Sequence, residues 1–174
     1  MIERIEISLQ PEALRVLELQ RASYRIEADL IGSILIPPLR ETLLELQSCG
    51  EVFHGWFESA TQPVRCCLPG QEGRLLGFIS HKLEDNVLDI HRVAVHPDGF
   101  RRGIARQLLE FVLKLETSAT RAMVQTGSLN VPACKLYLSF GFESLERKEV
   151  APGLELTLFE KTCEAQHKRI PPRD

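Results

Sequence analysis

Nothing in this sequence looks like a membrane crossing, because no apolar run approaches the ~18 residues that a spanning helix needs. The first stretch, MIERIEIS, carries charges inside its hydrophobic residues. It therefore lacks the uninterrupted apolar core of a signal peptide. Nor is there an excess of basic residues: the net charge is −3 and the calculated pI about 6.0. Binding a nucleic-acid backbone or an anionic membrane needs a broad basic face, so neither partner is expected. The five cysteines (Cys49, Cys66, Cys67, Cys134 and Cys163) make no CxxC pair and are odd in number. No metal site and no disulfide framework follows from that spacing, and free thiols in a reducing cytoplasm are the expected state. Repeats, low-complexity segments and a convincing domain linker are also missing.

What remains is the composition of an ordinary globular chain, with 174 residues, 44% of them hydrophobic and 26% charged. Such a length suits one domain, expected over residues 1–162 with a polar tail at 163–174. Ile2, Ile5 and Ile7 begin a strand, and helical spacing of Leu14, Leu17, Ala22 and Ile26 predicts a helix over about 10–28. Leu39, Leu43, Leu44 and Leu46 mark a second helix, stopped by Gly50. Strands are expected at 52–57, 75–83 and 87–95, the last apolar enough to lie buried on both faces. The turn-rich connection from Ser59 to Gly73 reads as a lid, a dimer contact or a plain hairpin loop. A helix over about 102–117, a strand at 122–125, a helix over 130–140 and a hairpin from 142 to 159 complete the order. That is a mixed α/β (α+β) domain with helices covering a central sheet.

The most informative stretch runs from Val93 to Arg106, VAVHPDGFRRGIAR. A strand ends at Pro97, a turn crosses Asp98 and Gly99, and a helix starts near Arg102. Small residues at Gly103 and Ala105 let a ligand approach the backbone. Unpaired N–H groups and the positive end of the helix dipole suit a diphosphate there. Arg101, Arg102 and Arg106 add compensating charge. There is no GK[ST] and no GxGxxG, which argues against a nucleoside triphosphate or a nicotinamide dinucleotide.

This run resembles motif A of the GNAT superfamily of acetyltransferases: Gln or Arg, two residues, Gly, one residue, then Gly or Ala. Gly103 and Ala105 match, while Phe100 stands where Gln or Arg is usual. Asn130 to Phe142, NVPACKLYLSFGF, is similar to the family's motif B, in the right order and at the right distance. The resemblance is close over residues 74–160. It implies a mostly antiparallel mixed sheet of about six or seven strands, splayed at the cofactor site and flanked by about four helices. It further implies acetyl-coenzyme A as co-substrate without a metal, and transfer to an amine of a small molecule or a peptide by direct attack in a ternary complex. Dimers occur in that family, although no residue here locates an interface. A catalytically silent acyl-coenzyme A-binding module shares the same motifs.

Carried onto this sequence, the resemblance implies that Val93, Ala94 and Val95 hold the pantetheine arm and acyl carbonyl through backbone groups. Arg101, Arg102, Gly103, Ile104, Ala105 and Arg106 form the pyrophosphate loop, and Asn130 caps the second helix and contacts the pantetheine. Tyr137 is the implied proton donor to the leaving thiol. For the base, Asp89 and His91 sit two apart on one strand and share a face with Val93 and Val95 if the strand is regular. His91 suits proton transfer near neutral pH, with Asp89 orienting it. A structural His–Asp pair, a bulge turning both away from the cleft, or a water chain are the alternatives. Cys134 has no positioned His partner to make it a nucleophile. Tyr24, Glu27 and the segment 31–39 lie near the acceptor entrance if the family arrangement holds, where the Glu27 carboxylate would attract a cationic amine.

Overall fold

The computed structural model describes residues 1–32, 36–58 and 73–163. The expected loop or lid at 59–72, with Cys66 and Cys67, and the tail at 164–174 lie outside the described residues. Along the chain run β1 (Ile2–Ile5), α1 (Gln10–Ile31), a 3-10 turn (Pro37–Leu39), α2 (Leu43–Ser48), β2 (Val52–Glu58), β3 (Arg74–Glu84) and β4 (Val87–Val95). A second 3-10 turn (Pro97–Gly99), α3 (Ile104–Leu115), β5 (Arg121–Gly127), α4 (Val131–Ser139), β6 (Glu143–Ala151) and β7 (Leu154–Thr162) follow. Seven strands form one sheet in the order β1-β2-β3-β4-β5-β7-β6. Every neighbouring pair is antiparallel except β4 and β5. The mixed, mostly antiparallel seven-stranded sheet with four α-helices is the expected architecture.

Local chemistry sets the helix ends and moves several of them from the expected positions. α1 runs on to Ile31 and stops where Gly32 takes a left-handed conformation, its N–H bonding back to Ala28 O, an arrangement that glycine adopts without steric cost. α2 starts at Leu43 because Thr42 and Glu45 form a reciprocal capping box, leaving Leu39 in the preceding 3-10 turn. α3 begins two residues later than periodicity predicts. Arg101 at φ +62° and Gly103 at φ +73° hold the chain out of the helical region until Ile104.

The sheet separates two apolar layers. On one face, α3 sets Ile104, Leu108, Leu109 and Val112 against Leu76, Ile79, Leu88 and Ile90, with Tyr137 of α4 in the same cluster. On the other, α1 and α2 set Ala13, Val16, Leu17 and Leu46 against Phe53, Phe78 and Ala94. Gly77 allows the α3 packing, since a Cβ there would come within 2.6 Å of Ile104 Cγ2.

His54 of β2 lies inside this structure, stacked on His81 at 5.6 Å and touching Phe111. Burial lowers its pKa to about 4, helped by His81 and Arg4. The unfolded chain takes up its proton near the ordinary 6.5, and the folded chain near 4. Stability contributed by the neutral ring is thus complete above pH ~6.5 and lost as pH falls toward 4, a change of up to about 3 kcal/mol. Urea unfolding of the wild type and of His54→Phe at pH 7 and pH 4.5 checks this. The wild type is expected to lose more stability on acidification than the variant; equal losses contradict it.

Candidate active site

Two irregularities in β4 create the site. Its parallel pairing with β5 covers only Val87–Ile90 against Arg121–Val124. Beyond Ile90 the two strands part, while β4 stays paired with β3 through Val95 and β5 with β7 through Gly127. The register on the β3 side shifts there too: Ser80 opposes Arg92, but His81 opposes Ile90, so His91 is the extra residue of a β-bulge. A bulge breaks the two-residue alternation. Leu88 and Ile90 before it, and Val93 and Val95 after it, therefore face the α3 layer.

This overturns the expectation that Asp89, His91, Val93 and Val95 share a face. Arg92 and Ala94 point to the α1 layer, Ala94 as part of the core there. Its N–H and C=O turn to β3, opposite Phe78, so Ala94 offers the cleft no polar group, contrary to expectation. Asp89 and His91 stay out of the cleft as well. The His91 ring lies 3.4 Å from Asp89 and 3.7 Å from Glu51. It borders a separate hollow of about 690 Å³ lined by Pro37, Glu41, Glu51 and Arg92, among others. Arg92 is bound there to Glu41 and Glu51, with Gln20 accepting from its guanidinium at 3.1 Å. These part-buried ion pairs tie the strand just past the bulge to the segments on either side of α2.

The gap itself is a cleft of about 560 Å³. On its floor, Val95 N donates to Ser23 Oγ at 3.3 Å. The next amide, His96 N, donates back to Leu76 O at 2.8 Å. Strand alternation therefore directs the Val93 N–H to the same side as that of Val95, into the gap vacated by β5. Phe100, Arg101, Gly103, Ile104, Ala105 and Arg106 line one end of the cleft. The amides of Gly103, Ile104, Ala105 and Arg106 donate no backbone hydrogen bond among the described residues. A Cβ at Gly103 would meet only Gln107 Nε2, at 3.9 Å, so the space above this loop is open to a ligand. Arg106 stacks over Phe140 at 5.1 Å and donates to Ser139.

Arg102 does not join them. It pairs with Glu58 at 2.7 Å and lies over the Trp56 ring, and it is not part of the cleft wall. The left-handed turn at Arg101 sends adjacent arginines in different directions. Periodicity had no means to tell them apart.

α4 supplies the opposite wall. Asn130 caps it, accepting from Ala133 N at 3.2 Å, and Tyr137 lies two turns further on. Tyr137 is 4% exposed and packed against Phe142 and Phe159. Its hydroxyl has no hydrogen-bond partner among the described residues. Burial, reinforced by the nearby Glu27 carboxyl, pushes its pKa above the ordinary tyrosine range. It is protonated at neutral pH and able to donate. Burial also raises the Cys134 thiol, which keeps it a poor nucleophile.

α1 adds Ser23, Ile26, Glu27 and Leu30 to the cleft. The sequence singled out Glu27 for its proximity to the acceptor entrance and as a carboxylate to attract a cationic amine. Ile26 and Leu30 are exposed apolar residues on the helix. Their helical spacing from Ser23 is the signal that would have found this stripe. Among the described residues, no group of three or more His, Cys, Asp or Glu is placed to hold a metal ion. No described helix is long and apolar enough to cross a membrane.

The family model described as Acetyltransferase (GNAT) family matches residues 21–142. The UPF0157 protein YqkA of Bacillus subtilis is 35% identical over 159 residues, 91% of this chain and 43% of that protein. The L-2,4-diaminobutyric acid acetyltransferase of Vibrio cholerae is 28% identical over 117 residues, 64% of this chain and 66% of the relative. The chain thus spans less than two thirds of either. Among solved structures, the ribosomal-protein-S18-alanine N-acetyltransferase of Escherichia coli superimposes with a TM-score of 0.69 at 13% identity, covering 98% of this chain and 97% of the other. PaiA N-acetyltransferase of Thermoplasma acidophilum, solved in complex with coenzyme A, gives 0.62 at 19% identity, covering 93% and 99%. At those identities the likeness concerns the fold.

Proposed function

Since the chain belongs to the GNAT family of acetyltransferases, we propose that it transfers the acetyl group of acetyl-coenzyme A directly to an amine nitrogen. The carrying observation is one cleft that brings together the free amides of residues 103–106, the gap-facing Val93 N–H and the protonated Tyr137 hydroxyl. Residues 1–162 form the proposed catalytic domain.

The chemistry of the walls fits the co-substrate from end to end. Four amides that are unpaired among the described residues and the helix dipole at the start of α3 hold a diphosphate, with Arg101 and Arg106 supplying charge. The backbone of Val93 and Val95 offers hydrogen bonds to an extended amide-bearing arm, while that of Ala94 is taken up by β3. Asn130 stands across the gap for the same arm. When bound, acetyl-coenzyme A supplies a thioester carbonyl as electrophile. The Val93 N–H stabilises negative charge developing on the carbonyl oxygen. Tyr137 donates a proton to the departing sulfur, while the cleft holds amine and thioester together. No covalent acyl-enzyme is involved, consistent with the raised Cys134 thiol.

The acceptor is an amine of a small molecule or of a peptide. The Vibrio cholerae relative is named for a diamino acid and the Escherichia coli structure for a protein alanine. Cys49, Cys134 and Cys163 are free thiols, which suits a reducing cytoplasm. Thiol release from acetyl-coenzyme A in the presence of L-2,4-diaminobutyrate, other diamines and an alanine-terminated peptide tests the proposal. Amine-dependent release with acetylated product in the mass spectrum supports it. Binding of acetyl-coenzyme A without transfer to any amine of a broad panel contradicts it and favours a silent binding module.

A further inference from the structure

The bulge removes His91 from the cleft and leaves the reaction without the base expected on β4. The structure offers another. We propose that Glu27 of α1 is the catalytic residue that takes the proton from the attacking amine; this rests on the acyl-transfer reading above.

Glu27 lies one turn beyond Ser23, the residue that touches Val95 N, and lines the same cleft as Val93 and Tyr137. Its carboxyl occupies the space beside the end of β5 that Gly127 leaves free. A Cβ on Gly127 would come within 3.6 Å of Glu27 Oε1 and 3.1 Å of Ile31 Cγ2. Asn130, Thr126 and the Gly127 backbone lie around the carboxyl, and burial raises its pKa despite them. The titratable groups that face it are Tyr24 of α1 and Tyr137 and Cys134 of α4. Burial raises the pKa of all three, so each is neutral at working pH.

The placement divides the two proton transfers across the sheet. Glu27 reaches the cleft from the α1 side, and Tyr137 from the layer that α4 shares with α3. The amine nitrogen bonds to the carbonyl carbon as the carbon–sulfur bond breaks. The nitrogen's proton passes to the Glu27 carboxylate, and the sulfur takes the Tyr137 proton. Glu27 then returns one proton toward the Tyr137 phenolate, directly or through water, and both groups are restored. An alkylammonium is too weak an acid for a carboxylate to deprotonate beforehand. Bond formation makes the nitrogen acidic, and a half-buried carboxylate of raised basicity is suited to that moment.

Three measurements on the full chain test this. Calorimetry with acetyl-coenzyme A should give the same affinity for wild type and Glu27→Gln. Carbon-13 NMR of glutamate-labelled protein should show one carboxyl, missing from Glu27→Gln, that titrates above the ordinary glutamate range. With any amine of the panel that turns over, kcat/KM should rise with pH through that midpoint. Glu27→Gln should lose ~10²–10⁴-fold in kcat, and Glu27→Asp should recover part of it. A Glu27 midpoint at or below the ordinary range overturns the proposal, as does a Glu27→Gln rate equal to wild type. Failure of the wild type to bind acetyl-coenzyme A would instead bring down the acyl-transfer reading itself, and this base with it.

Discussion

Replacing Tyr137 by phenylalanine should lower kcat for acetyl transfer by ~10²–10⁴-fold, the usual contribution of a positioned general acid. Two features set where in that range the loss falls. The hydroxyl is the only group removed, and it has no partner within the described protein, so the ring keeps its packing on Phe142 and Phe159. Melting temperature and acetyl-coenzyme A affinity should stay close to wild type. The leaving thiol has a pKa near ~8.5, so it departs as thiolate with some ease, which favours the lower end. The check is steady-state kinetics with saturating acetyl-coenzyme A alongside a melting curve. A kcat unchanged within twofold in a folded variant would remove Tyr137 from the mechanism. A fall in kcat and stability together would make it a packing residue.

The motif around Gly103 and the Asn130-to-Phe142 run pointed to the two walls of the cleft, including the proposed cofactor end, because backbone-dictated features leave residue-type signatures. Glycine is needed where φ is positive, and asparagine where a helix starts. The succession of strands and helices along the chain followed from periodicity and turn residues, and the mostly antiparallel sheet from the family resemblance. The bulge at His91 left no such signature. HRVAV reads equally well as regular strand, and only the register against Ser80 and His81 shows the extra residue. One residue of slip carried Asp89 and His91 away from Val93 and placed Arg92 among Glu41, Glu51 and Gln20.

Arg102 failed for a related reason. Its partners, Trp56 and Glu58, lie over forty residues away in sequence, and no local pattern announces them. Glu27 is the converse case. An acidic residue on a surface helix is ordinarily solvated, and its partial burial became visible only once α1 was laid across the end of β5.

The largest effect on binding is expected from Gly103→Glu. Gly103 sits at φ +73° as the residue before α3, with open space where a side chain would go. A glutamate there costs about 1–2 kcal/mol of backbone strain, as for other non-glycine residues in this region. Its neighbour Arg101 already tolerates φ +62°, so the variant should fold. Its carboxylate would project over the unpaired amides of residues 103–106, where like charge opposes a diphosphate. Gly103→Ala carries the same strain without the charge and separates the two effects.

Titration calorimetry of acetyl-coenzyme A into wild type, Gly103→Ala and Gly103→Glu therefore tests the central claim, that this cleft holds the acetyl donor by the amides at the start of α3. The account predicts one site per chain in the wild type, modest weakening in Gly103→Ala, and no measurable binding by a folded Gly103→Glu. Equal affinity in wild type and Gly103→Glu, or no binding by the wild type, would contradict it.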